Sequence, residues 1–280
     1  MEKAFKKRFV ILMLPTLIAF IIAFIIPFVL GIYLSFTKFT TVTDAQWIGL
    51  SNYIVAFRDK DFLASLLFTV KFVLVNLVTI NLIAFMLAYV LSRKLRGTNI
   101  FRTVIFMPNL LGGLALGYIW QLIFNGILEK YGTALALNEW YGFWGLIILV
   151  SWQQIGYMMI IYIAGLQSIP GDVIEAAQID GAGKWTKLFK VTIPMMMPSI
   201  TICMFLSLTN GFKLFDQNLS LTAGEPSKMS EMMALNIFNT FYGRTGWEGV
   251  GQAKAVIFFI IVAVIALAQN RLTRSKEVQQ

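Results

Sequence analysis

The sequence predicts an all-α protein that crosses a membrane six times, and three features carry that expectation. Hydrophobic residues fill 58% of the 280 positions and charged residues 13%, with a mean hydropathy of +0.74; a soluble domain carries nearer one quarter charged residues. Six apolar stretches are each long enough to cross a bilayer core, which takes about 20 helical residues. Lys and Arg gather in alternate connections between those stretches, the pattern that orients polytopic chains.

The first stretch, 9–36, follows the basic start MEKAFKKRFV. It is too long for the apolar core of a secretory signal and lacks a small-residue cleavage site, so it is expected to remain as the first span. Pro15 and Pro27 each remove an amide donor and are expected to kink it. The remaining spans are expected at 63–91, 103–124, 142–166, 195–216 and 250–270. In the third, Gly113 and Gly117 form a small-residue face for close helix contact, either within the chain or along a seam with a partner. Cys203, the single cysteine, lies in the fifth and reads as a small core residue that can form no disulfide within the chain.

Charge sets the expected orientation. Lys3, Lys6, Lys7 and Arg8 precede the first span, Arg93, Lys94, Arg96 and Arg102 follow the second, Lys184, Lys187 and Lys190 follow the fourth, and Arg271, Arg274 and Lys276 end the chain. The three opposite connections hold only Lys38, Arg58, Lys60, Lys130, Lys228 and Arg244. Both termini and the connection 168–194 are therefore expected in the cytoplasm. The net charge of +9 reads as this topology signal rather than as a nucleic-acid surface. The chain has no histidine, which excludes histidine metal sites, histidine triads and histidine proton relays.

The connection 168–194, SIPGDVIEAAQIDGAGKWTKLFKVTIP, is too charged for lipid and too patterned for a slack linker. Pro170 suits a first helical turn, and Asp172 and Glu175 favour its positive end. Val173, Ala176 and Ala177 recur at helical spacing, Gly181 and Gly183 interrupt, and Trp185, Leu188 and Phe189 restart an apolar stripe. The expectation is a short helix, a glycine break and a second short helix. A helix of this kind also suits the bilayer surface. Gly181-Ala-Gly183-Lys184 is no phosphate loop, because Gln178 occupies the place of the first glycine and Trp185 follows the lysine where Ser or Thr must meet the metal.

Glu175-Ala176-Ala177, three residues, Gly181, nine residues and Val191-Thr192-Ile193-Pro194 resemble the cytoplasmic loop of bacterial ABC importer permeases, Glu-Ala-Ala, Gly and Ile-x-Leu-Pro at the same spacing. The segment Leu221-Thr222-Ala223-Gly224-Glu225-Pro226 is similar to a Leu-Thr-x-Gly-Gly-Pro segment of sugar-type permeases, with Glu225 replacing a glycine. Residues 230–238 are similar to the family's periplasm-facing helix before the last span. The resemblance implies a type I ABC importer permease fold, with a first span and external loop over 1–62, a five-helix permease core over 63–270 and a cytoplasmic tail over 271–280. It implies a bacterial cytoplasmic-membrane importer of a sugar, an oligosaccharide. The implied partners are a second homologous permease, two ATPase subunits, an extracytoplasmic substrate-binding protein and membrane lipid, with no nucleic acid. This chain would be no enzyme and bind no cofactor, since the partner ATPase uses ATP and Mg. In the family, the Glu of the loop engages a basic residue of the ATPase, so the resemblance assigns coupling to Glu175, Ala176, Ala177, Asp180, Gly181 and Pro194.

Sugars offer hydroxyls to amides and acids and apolar faces to aromatic rings. Candidates for the substrate path are Trp120 and Gln121, then Trp152, Gln153, Gln154 and Tyr157, then Asn210, Phe212 and Asp216. Helix packing is the alternative role for each. Lys71, Lys213 and Lys254 stand near the outer ends of their spans. They either face one cavity suited to an acidic sugar or glycerol phosphate, or snorkel to the interface. Asp216, three residues after Lys213, can neutralise it. Two further readings stay open: an ion-coupled secondary transporter, which needs carboxylates deep in its spans, and a non-transporting membrane scaffold, which leaves the loop spacing unexplained. Asn218-Leu-Ser220 fits a glycosylation sequon and receives no role.

Overall fold

The computed structural model describes residues 13–93 and 96–274. Residues 9–12 of the expected first span, the cations Lys3, Lys6, Lys7, Arg8, Lys94 and Lys276, and most of the expected tail lie outside the described residues. Among the described residues four helices are long and apolar enough to cross a membrane, or six spans if each of two bent helix pairs counts as one.

The chain divides into two compact units. The first joins the residues up to Phe62 to Ile237–Phe259. Its opening helix α1 (Met13–Leu34) widens into a π turn over Ile21–Ile25, where the Ile26 amide donates to the Ile21 carbonyl. Pro27 follows directly. A proline cannot satisfy the carbonyl four residues back, and the wider turn accommodates that loss without ending the helix. Two short strands then pair antiparallel, β1 (Thr37–Lys38) and β2 (Gln46–Trp47), with Thr37 opposite Trp47. Strands of two residues carry no readable alternation, so the sequence did not announce them. Asn52, in α2 (Ser51–Arg58), ties this turn together by donating to the carbonyls of Ser35 at 3.0 Å and Thr37 at 2.8 Å.

The second unit comprises Leu63–Asn236 and the residues from Ile260. Its helices are α3 (Lys60–Leu91, from Leu63 on), α4 (Thr98–Phe106), α5 (Gly113–Leu128), α6 (Glu139–Gln167), α7 (Gly171–Ile179), α8 (Lys184–Met195), α9 (Met197–Phe212) and α10 (Asp216–Leu221), while α11 (Met233–Gly243) falls mostly in the first unit and α12 (Glu248–Arg274) begins in the first unit and ends in the second. The centre is α6, 72% buried over its apolar window against 28% for α3. Leu146, Leu149, Val150, Met158 and Met159 are inaccessible. A Cβ on Gly156 would collide with the Ile105 carbonyl and the Phe106 backbone, so α4 crosses α6 with main chain against main chain.

Two expected spans are bent. The stretch 103–124 was expected as one helix; α4 instead runs through a 3₁₀ turn, Met107–Leu110, and meets the α5 segment at 100°. Pro108 cannot donate into the ladder, and Leu111 and Gly112 are extended, with ψ of 140° and 137°. The stretch 195–216 begins instead at a 70° bend between α8 and α9 and its helix ends at Phe212. Pro194 and Pro198 flank that bend. The Gly113 and Gly117 face is used within the chain rather than as a seam: a Cβ on Gly113 would lie 2.9 Å from that of Asp216, and one on Gly117 would collide with Ser220. Small residues here let α5 and α10 approach closely.

Candidate functional site

The connection 168–194 is two helices joined at a left-handed glycine. Pro170, extended at ψ 134°, caps α7 from outside rather than sitting in its first turn, and Asp172 lies in that turn. At the other end the Ala182 amide donates to the Ala177 carbonyl and the Gly181 amide to the Gln178 carbonyl, each at 3.0 Å. That paired closure requires a residue at positive φ, and Gly181 stands at +75°. The second helix is longer than expected, since α8 continues to Met195 through a π turn over Leu188–Thr192.

Of the loop residues named from the sequence, Glu175, Ala176, Asp180 and Gly181 are exposed, and Ala177 and Pro194 are half-buried. In the apolar stripe Trp185 and Phe189 are exposed and Leu188 is half-buried, and Ile179, just before the glycine closure, is exposed as well. Ile179 is 86% accessible and Trp185 73%, with Trp185 stacked on Phe189 at 6.1 Å. Contiguous exposed apolar surface flanked by charge marks an interaction face.

The candidates for the substrate path separate into two groups. Trp120 and Trp152 meet edge to face at 5.5 Å, and Trp152 and Tyr157 lie on the open side of α6. Gln153 is buried, donating to the Leu111 carbonyl at the α4–α5 break and accepting from Gln217 at 2.7 Å. Gln121 donates to the Leu221 carbonyl at 3.0 Å. Gln154 is buried, and its Oε1 has no hydrogen-bond partner among the described residues. Phe212 is buried, Asn210 half-buried and Asp216 exposed. No ion pair joins Asp216 to Lys213 among the described residues.

Sequence reasoning missed a second polar cluster at the middle of the second unit. Tyr162 donates to Asn81 Oδ1 at 2.7 Å, and Asn81 donates to Ser207 at 3.1 Å, linking α6, α3 and α9. The available signal was each residue's isolation in an apolar run, where an unsatisfied polar group is costly. Asn218 was similarly passed over. It is inaccessible, which rules out its sequon, and it holds the Ser230 carbonyl, the Thr222 hydroxyl and the Met232 amide.

Within the first unit, Lys254 corrects the expectation of snorkelling. It is fully buried, donating to Asp59 Oδ2 at 2.8 Å and to Thr240 Oγ1 at 2.7 Å, with its ammonium 5.1 Å from the Phe62 ring centre. Arg244 bridges Asp59 at 3.4 Å and Asp61 at 3.1 Å. Burial pushes the Asp59 carboxyl up, but the hydrogen bond and charge of Lys254, with the Asp61 amide and Arg244, outweigh it and hold the group below the ordinary aspartate value.

Residues 80–278 match the family described as the binding-protein-dependent transport system inner membrane component. The chain is 44% identical over 273 residues to the probable starch degradation products transport system permease protein AmyD of Thermoanaerobacterium thermosulfurigenes, covering 95% of this chain and 93% of that one. It is 30% identical to the multiple sugar-binding transport system permease protein MsmF of Streptococcus mutans, covering 89% of each. Among solved structures it resembles a chain of a bacterial ABC transporter involved in the import of the acidic polysaccharide alginate, with a TM-score of 0.82 over 98% of both chains at 19% identity. The fold likeness, the matched family and the apolar helices agree, and the chain belongs to the binding-protein-dependent transport family as a multi-pass inner-membrane permease.

Proposed function

We infer that this chain is the transmembrane permease subunit of an ATP-driven importer that carries an oligosaccharide into the cell. The carrying observation is the 168–194 loop, where exposed Glu175 and the exposed stripe of Ile179, Trp185 and Phe189 flank the Gly181 closure. An ATPase subunit docked there would pair a basic residue with Glu175 through a charge-assisted bond and cover the apolar stripe. Ala176 and Ala177 would permit close approach, and Asp180 and Pro194 would frame the contact. ATP and Mg would be bound by that partner, and this chain would hold no cofactor. A second permease, two ATPase subunits and an extracytoplasmic binding protein complete the assembly, with both termini and the loop in the cytoplasm.

The relatives' names, starch degradation products and multiple sugars, favour an oligosaccharide. A neutral sugar is favoured over an acidic one or glycerol phosphate because Lys254 is committed to Asp59, which leaves no trio of cations for one cavity. The open faces of Trp120, Trp152 and Tyr157 suit sugar rings, and Asn210 suits a hydroxyl.

The test is ATPase activity of the co-purified complex in nanodiscs, with the binding protein and neutral or acidic oligosaccharides added singly. Stimulation by a neutral oligosaccharide, lost in Glu175→Lys while the chain stays inserted, is expected. Activity indifferent to Glu175→Lys, or a preparation without an ATPase, would overturn the reading.

A further inference from the structure

Between the half of α3 remote from the 168–194 loop and the first turns of α6, a cavity of about 290 Å³ opens. Phe68, Phe143, Trp140 and Trp144 form its walls, and Lys71 and Glu139 supply its charges. Phe143 is the base of the aromatic box, meeting Phe68 at 5.7 Å and Trp144 at 5.5 Å edge to face. Lys71 and Glu139 are both exposed, and no hydrogen bond or ion pair to a described residue occupies either. The lining is therefore neutral in sum yet carries one free charge of each sign.

Depth decides what such a cavity can take. Lys71 stands about 20 residues from Leu91, where α3 ends, and at 1.5 Å per residue that is about 30 Å, the thickness of a bilayer's hydrocarbon core. Trp140 and Trp144 stand 27 and 23 residues from Gln167, where α6 ends, which is about 40 and 35 Å at the same rise. The cavity is thus at headgroup level in the leaflet opposite the loop, where tryptophans collect. Below it, Leu74 and Val78 continue the face of α3 that carries Lys71, and they are 60% and 64% accessible. That strip suits an acyl chain.

We propose that this cavity is a binding site for a zwitterionic, amine-bearing phospholipid of the phosphatidylethanolamine type. Lys71 takes the phosphate. Glu139 and the faces of Trp140 and Trp144 take the ammonium, by charge and by cation–π attraction. A purely anionic headgroup satisfies Lys71 alone and leaves Glu139 opposed.

The experiment is native mass spectrometry of the intact, delipidated permease complex titrated with phosphatidylethanolamine or phosphatidylglycerol of identical chains. The expected result is about tenfold preference for phosphatidylethanolamine, the ratio that one charge-assisted bond supports. Glu139→Gln should erase that preference, Lys71→Ala should weaken both lipids, and Lys71→Arg should restore them. Equal adducts of the two lipids, or a preference unchanged in Glu139→Gln, would overturn the proposal. So would displacement of the lipid by maltotriose, which would make the cavity a sugar site. None of these readouts depends on transport or on Glu175, so the importer reading and this one fail separately.

Discussion

Asp59 illustrates how a single residue couples charge to stability. Its carboxylate faces Lys254, fully buried, and its pKa is held below the ordinary 3.8. A depressed acid contributes stability that is complete above the unfolded-state pKa and lost as pH falls through that value toward the folded one. The wild-type protein in detergent should therefore keep its melting temperature from neutral pH to about pH 5 and lose it below about pH 4. Asp59→Ala should cost about 3–5 kcal/mol at neutral pH, because it strands a buried ammonium. The double variant Asp59→Leu/Lys254→Met should recover most of that loss. A melting temperature unchanged by Asp59→Ala would contradict the burial of the pair. Gln153 makes a second case, since its amide serves the Leu111 carbonyl that the helix break leaves without a helical partner. Gln153→Leu should destabilise by about 1–3 kcal/mol, measured by the same melt. If transport falls with no change in melting temperature, Gln153 acts on the substrate instead.

Among the elements, α6 and the loop that follows it make opposite use of glycine. On α6, Gly156 gives up its side chain so that the α4 backbone can pass. Gly156→Leu should separate the two helices at a cost of about 1–3 kcal/mol or more, read as a lower yield of folded protein and a lower melting temperature. In the loop, no atom crowds Gly181, and what it provides is its φ of +75°. Gly181→Val should leave the membrane helices intact yet strain the α7 closure by about 1–2 kcal/mol. Its signature is reduced transport by a complex with a near-normal melt; equal losses in both would place the strain in the fold at large. The glycines were visible in the sequence, as were the apolar stripe and its break. Which glycine served close packing and which served a left-handed turn was not, because that depends on what lies opposite.

For the whole molecule, the alternation of cations predicts sidedness that labelling can read. Leu137 and Ile179 are exposed at opposite ends of α6, and Cys203, the native cysteine, is buried. In whole cells an impermeant maleimide should modify Leu137→Cys directly and Ile179→Cys only after permeabilisation; the reverse order would invert the topology. Composition, apolar run length and charge alternation determined the class of this protein, since a bilayer accepts only long apolar helices with internally satisfied backbones. The spaced Glu175 to Pro194 pattern pointed to the family, because it is local in sequence and can be read without knowing any tertiary contact. Tertiary structure alone decided how far the chain turns at the proline breaks, 100° and 70°, the service of Gln153 to a broken helix, and the burial of Lys254 against Asp59. The last two join residues distant in sequence, and whether a polar side chain in a span faces a substrate, a lipid or its own chain is settled only by which helix packs against it.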